Sequence, residues 1–243
     1  MPLSSRPNRL RALAAAALLL ASTAAAADIL VVRSVGPSAR AYPPGKHLPE
    51  GARLTLQAAD QLILLDGRGT RTLRGPGTFA AGAAPARVAA ALPVQTQRRA
   101  RIGAVRGVEG GTLRPPSLWH VDIARSTDVC VADPARLTLW RADTAAALPL
   151  TVTRASDGAS RRVAFEPGAS TAPWPADLSP ADGARYRLSW PGGAQPTALT
   201  LHALSARPAG LEDMASALIA KGCAAQLDLL VDTVRLPDAA PAG

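Results

Sequence analysis

The sequence predicts a mainly β protein: a small β-domain, then a β-sandwich with a short C-terminal helix. Short apolar-alternating runs bounded by glycine and proline recur from Ile29 to about Val94, and again from Ser117. A stretch dense in arginine, glycine and proline separates the two sets. Helical spacing of apolar residues is confined to the segment after Gly210.

Residues 1–27 carry Arg6, Arg9 and Arg11 ahead of an apolar run from Ala12 to about Leu20, then small residues ending at Ala25-Ala26-Ala27. That is the anatomy of a secretory signal peptide. The run is shorter than the roughly 20 apolar residues a membrane anchor needs. Cleavage near Ala27 is expected, with a retained anchor as the alternative. The expected product is periplasmic, with no transmembrane span. Three of the 27 basic residues belong to this leader, so the net charge of +9 falls to +6 on its removal. Only Lys46 and Lys221 are lysines. An arginine-for-lysine bias therefore accounts for much of the charge, and a nucleic-acid partner is not expected.

The first set of runs is ILVVRSVG, ARLTLQ, QLILLDG, TRTLRG and ARVAAALPV, with a Pro43-Pro44-Gly45 turn after the first. Leu54 and Leu56 share one strand face, as do Leu62 and Leu64, and Asp66-Gly67 is expected to supply a positive-φ hairpin turn. The stretch LPEGARLTLQAADQLILLDGRGTRTLRGPGTF, within residues 29 to 92, resembles the repeated element of FecR-type periplasmic domains. The resemblance implies a β-roll or barrel-like periplasmic module over residues 28–94, and with it a place in envelope signalling.

Residues 95–116 hold Arg98, Arg99, Arg101, Arg106 and Arg114 with Gly110-Gly111 and Pro115-Pro116. They read as an exposed linker, and Arg98, Arg99 and Arg101 are candidate partner contacts. Residues 117–236 then give SLWHVDI, DVCVA, RLTLWRA, LPLTVTR, RRVAFEP, RYRLSW and TALTLHAL, the strand number and spacing of a sandwich. The run Asp182-Gly183-Ala184-Arg185-Tyr186 fits the D-x-A-x-Y pattern of immunoglobulin-like sandwiches, whose tyrosine closes a corner by hydrogen-bonding back to the chain. The similarity is to the sandwich architecture: Leu188 stands where a family cysteine would.

In the tail, Leu211, Met214, Ala215, Leu218 and Ile219 have the spacing of an amphipathic helix, and Gly222 can end it. Leu227 to Val234 continue the apolar stripe as a second helix or a closing strand, the β-branched end LVDTV favouring the strand. Residues 237–243 are expected to be disordered. Cys130 and Cys223, an even count behind an export signal, are expected to form a disulfide.

No catalytic, metal or cofactor motif stands out. His47, His120 and His202 are scattered, no G-x-S-x-G elbow occurs, and no cysteine or histidine pair has metal-ligand spacing. The glycines of residues 67–77 punctuate hairpins and open no helix. His120, Asp122 and Asp128 are the nearest approach to a polar cluster for an enzyme. Trp119, Trp140, Trp174 and Trp190 all fall in the second module. Trp174, flanked by Pro173 and Pro175, is expected either to anchor a loop on the sheet or to be an exposed partner contact. The expectation is a non-enzymatic exported interaction module, an adaptor or sensor for an envelope signalling protein. The alternative is a protein that binds carbohydrate or cell wall.

Overall fold

The computed structural model describes residues 28–82, 114–125, 127–193, 195–204 and 207–236. The leader, Arg98, Arg99, Arg101, the ARVAAALPV run and the 237–243 tail lie outside them.

The first module has strands β1 (Ile29–Val35), β2 (His47–Leu48), β3 (Arg53–Leu56), β4 (Gln61–Asp66), β5 (Gly69–Arg74) and β6 (Gly77–Ala80). They form a four-stranded sheet in the order β2-β1-β4-β5 and a separate β3-β6 pair. Leu62 and Leu64 face inward with Ile29, Val31 and Leu73, meeting Leu54 and Leu56 of the second ribbon. Ile63 and Leu65 alternate to the opposite face, so β4 is buried on both sides. The hairpin expected at Asp66-Gly67 forms with Asp66 opposite Gly69, and Asp66 Oδ1 accepts from the Arg68 amide at 2.8 Å. The positive φ falls on Gly69, at 139°, and not on Gly67. A Cβ on Gly69 would stand 2.4 Å from the Val234 carbonyl oxygen, so the C-terminal chain occupies the space beside it.

The second module has β7 (His120–Asp122), β8 (Thr127–Val131), β9 (Thr138–Trp140), β10 (Leu148–Arg154), β11 (Ser160–Phe165), β12 (Thr171–Pro173), β13 (Ala184–Ser189) and β14 (Thr197–Ala203). Each of the seven expected runs carries a strand, and β12 is added. A five-stranded sheet, β11-β10-β13-β14-β8, and a three-stranded one, β12-β9-β7, enclose Leu139, Leu150, Val152, Phe165, Leu188, Leu199 and Leu201. The Tyr186 hydroxyl donates back to the Ser179 carbonyl at 3.0 Å and also lies 3.3 Å from the Leu178 carbonyl, the expected corner. Trp174 is not an exposed contact. It is 7% exposed, stands edge-on to Tyr186 at 5.0 Å, and its Nε1 donates to the Leu178 carbonyl at 2.8 Å. The flanking prolines place it just beyond an edge strand, where no ladder bond is lost. Buried Arg141 donates to the carbonyls of Ala146, Glu166 and Ala169, tying three loop positions with one guanidinium.

The chain ends in α1 (Leu211–Ala220) and α2 (Ala224–Thr233), separated by Gly222 at φ 73°. The closing strand favoured for LVDTV is a helix. Leu227, Leu230, Val231 and Val234 keep the i, i+3, i+4, i+7 spacing, and packing of that stripe outweighs the β-branched preference. What remains of the strand is one parallel bridge, Thr70 to Arg235. The helices, assigned with the sandwich from sequence, pack on the outer face of the first sheet: Ala215, Leu218, Leu230 and Val231 meet Leu30, Val32, Ile63 and Leu65.

A disulfide and a buried amide fasten this helical layer to β8 of the sandwich. Cys130 and Cys223 form the expected disulfide, closing a separation of 93 residues. The buried Gln226 amide accepts from the Cys130 N–H at 2.6 Å and donates to the Cys130 carbonyl at 2.9 Å and the Leu118 carbonyl at 2.7 Å. It closes the open edge of β8 in place of a further strand.

Loss of the disulfide in C130A/C223A is expected to lower stability by roughly 4 kcal/mol. Q226A, which leaves buried backbone groups at Cys130 and Leu118 without partners, is expected to cost about 3 kcal/mol. Urea unfolding of the two variants and their combination should show less than additive loss, since both detach α2 from the same strand. Y186F, keeping the ring and losing the corner bond, should cost about 1 kcal/mol in the same assay.

Candidate functional site

A cleft of about 590 Å³ lies where the first sheet, the end of the linker, the β7–β8 region and α2 meet. Its apolar lining is Ile63, Val121, Val129, Leu229 and Val231, and its charged groups come from four parts of the chain.

Arg33 reaches the cleft through a bulge. The β1–β4 register shifts between Val31 and Arg33, which sets Arg33 opposite Ile63 on the face that α2 covers. There it pairs with Asp228. Arg114 and Arg235 both pair with Asp232 one turn further along α2, so one wall is a chain of ion pairs in which three arginines share two aspartates. These pairs are half-exposed or more on the arginine side, and each is worth little in stability. Their effect is to fix the positions of long side chains at the rim.

The opposite wall comes from the sandwich: Ser117, His120, Asp122, Arg125, Thr127 and Asp128. The fold therefore brings together His120, Asp122 and Asp128, the cluster singled out in the sequence. It does not wire them as a catalytic relay. Ser117 Oγ is 2.7 Å from His120 Nδ1, inside a turn that His120 N closes onto the Ser117 carbonyl. Asp122 Oδ1 accepts from the Ala124 amide at 3.0 Å, capping its own turn. Asp128 Oδ1 lies 2.8 Å from His202 Nε2 across the β8–β14 pair. Among the described residues the Ser117–His120 pair has no carboxylate completing it, and no group of three potential metal ligands occurs. Arg125 is exposed and has no ion pair among the described residues.

Two of these contributions had no signal in the sequence. Arg33 depends on a bulge inside an unbroken apolar run, and Asp228 and Asp232 depend on the second helix. Trp174 lies away from the cleft in the sandwich core, and Arg98, Arg99 and Arg101 fall outside the described residues.

Burial pulls the His120 pKa below the ordinary histidine value, against a smaller opposing effect of its Ser117 contact. The folded state thus favours the neutral ring more than the unfolded chain does. This contribution to stability is full above the unfolded-state value of about 6.5 and is lost as pH falls through the lower folded value. H120Q is expected to flatten the fall in urea midpoint on acidification below about pH 6.5; an unchanged slope would assign it to other groups.

No family model, curated protein or solved structure matches this chain.

Proposed function

We propose that the protein is a non-catalytic binding module of the cell envelope, an adaptor or sensor that holds a segment of a partner protein in the cleft between its two β-modules. The observation that carries this reading is the composition of the cleft. An apolar floor is framed by arginines and aspartates held in place by each other, with Arg125 left over, while the one serine–histidine contact serves a turn. Such a surface suits an extended peptide with an apolar anchor and flanking charges. The linker carrying Arg98, Arg99 and Arg101 ends at the rim, where Arg114 and Pro115 line the cleft. The FecR-type reading of the first module and its periplasmic location belong to the same proposal. They are supported by the leader, the disulfide and the short-strand ribbon, and none of the described helices is long and apolar enough to cross a membrane.

A glycan-binding role draws less support. It calls for tryptophans in an exposed stripe, whereas Trp140 and Trp174 are buried and Trp119 and Trp190 half-buried.

The test is site-specific photocrosslinking from Ala225, which lines the cleft, with Ala135 at a distant exposed turn as reference. A discrete envelope-protein adduct from Ala225, absent from Ala135 and lost in R125E, is the expected result. No adduct, together with retention of the chain on purified cell-wall sacculi, would replace the proposal with the glycan reading.

A further inference from the structure

The sandwich carries a second feature, which shares only Asp128 with the cleft and is independent of the function proposed for it. One face of its five-stranded sheet packs on the core; the other is open except at the β8 edge, where α2 lies. The register assigns its residues. Arg162, Thr151 and Ser189 form one cross-strand row; Ser160, Thr153, Arg187 and Ala198 form the next; Arg185, Thr200 and Asp128 form the third.

The charged residues in these rows are Arg162, Arg185 and Arg187, plus Asp128 at the far edge, which is already engaged by His202. All three arginines are exposed and have no ion pair among the described residues. Three exposed aspartates of the module pair with other cations: Asp157 with Arg154, Asp177 with Arg161, and Asp182 with Lys221. Three unpaired cations therefore lie on this one face, whereas Arg154, Arg161 and Arg207 of the same module are each paired with an aspartate. Arg185 and Arg187 stand about 7 Å apart along β13, and Arg162 lies two strands away, about 10 Å across the sheet.

The rest of the face between these rows is threonine, serine and alanine, with Pro149 and Ala164 beyond one end and His202 beside Cys130 at the other, and it holds no large exposed apolar side chain. A protein partner needs a buried anchor of the kind this face does not hold. A planar layer of phosphates needs only spaced cations on a flat polar surface, and arginine pairs with phosphate through two donors at once. We propose that the open face of the β11-β10-β13-β14 sheet docks on an anionic lipid bilayer, with Arg162, Arg185 and Arg187 contacting headgroup phosphates.

The experiment is sedimentation of the oxidised chain lacking residues 1–27, none of which belongs to the described fold, with vesicles. Phosphatidylcholine vesicles with and without phosphatidylglycerol are compared. Each surface cation contributes about a fivefold gain in partitioning, so R162Q/R185Q/R187Q should bind the anionic vesicles on the order of a hundredfold more weakly. A charge-matched control, R40Q/R53Q/R136Q, removes three exposed cations elsewhere and should lose far less. Binding should also fall steeply as salt is raised. Unfolding midpoints of both triple variants should match the parent, so that a misfolded variant is recognised. Equal losses in the two triple variants would reduce the effect to net charge and overturn the proposal, as would equal binding to neutral vesicles. Binding to inorganic polyphosphate that depends on the three arginines, without binding to vesicles, would overturn the lipid assignment in favour of a soluble polyanion.

Discussion

The attachment of α2 to β8 is the constraint on which the rest of the molecule depends. A sulfur bridge and a side-chain amide act on the same strand within a few ångströms: Cys223 bonds Cys130, and Gln226 takes up both backbone groups of Cys130. From this anchor α1 and α2 extend across the first sheet, covering Leu30, Val32, Ile63 and Leu65. The two β-modules share little direct sheet-to-sheet pairing, and their strands fall into separate sheets. Their relative placement is set by a helical layer fastened to one and packed on the other. The cleft is a product of that placement, since α2 supplies Asp228 and Asp232 on one side while the sandwich supplies His120 and Asp122 on the other.

Much of the β architecture was legible because strand burial has a period of two. QLILLDG and TRTLRG pair where the Asp66 turn puts them, and Tyr186 makes the corner bond that its run of residues announces. The disulfide followed from the even cysteine count read together with an expected export signal. The second helix was harder, because an eight-residue apolar stretch satisfies both periods, and the tertiary partner that decides between them lies more than 150 residues earlier in the chain. Trp174 shows the same limit. Flanking prolines exclude a central strand but do not say whether the indole turns inward, which the Leu178 carbonyl and the Tyr186 ring decide.

The candidate site was legible only in part. His120, Asp122 and Asp128 are close in sequence and could be grouped by eye. Arg33 could not, since its direction depends on one bulged residue in an apolar strand. Gln226 carries no periodic signal either; a glutamine on a helix ordinarily faces solvent, and its burial here is set by the unpaired edge it meets. Residues whose role is to satisfy another segment's backbone are invisible until that segment is placed.

The position of the helical layer in the chain has a consequence for biogenesis. The outer face of the first sheet, made by residues 30–65, is covered chiefly by residues 211–234, so the earliest module to emerge from a ribosome or a translocon is the last to be completed. Until the tail arrives it presents four large aliphatic side chains to its surroundings, a natural recognition element for a holdase chaperone and a point of vulnerability to proteases. Quality control of this protein thus reduces to whether its final segment has reached its earliest one.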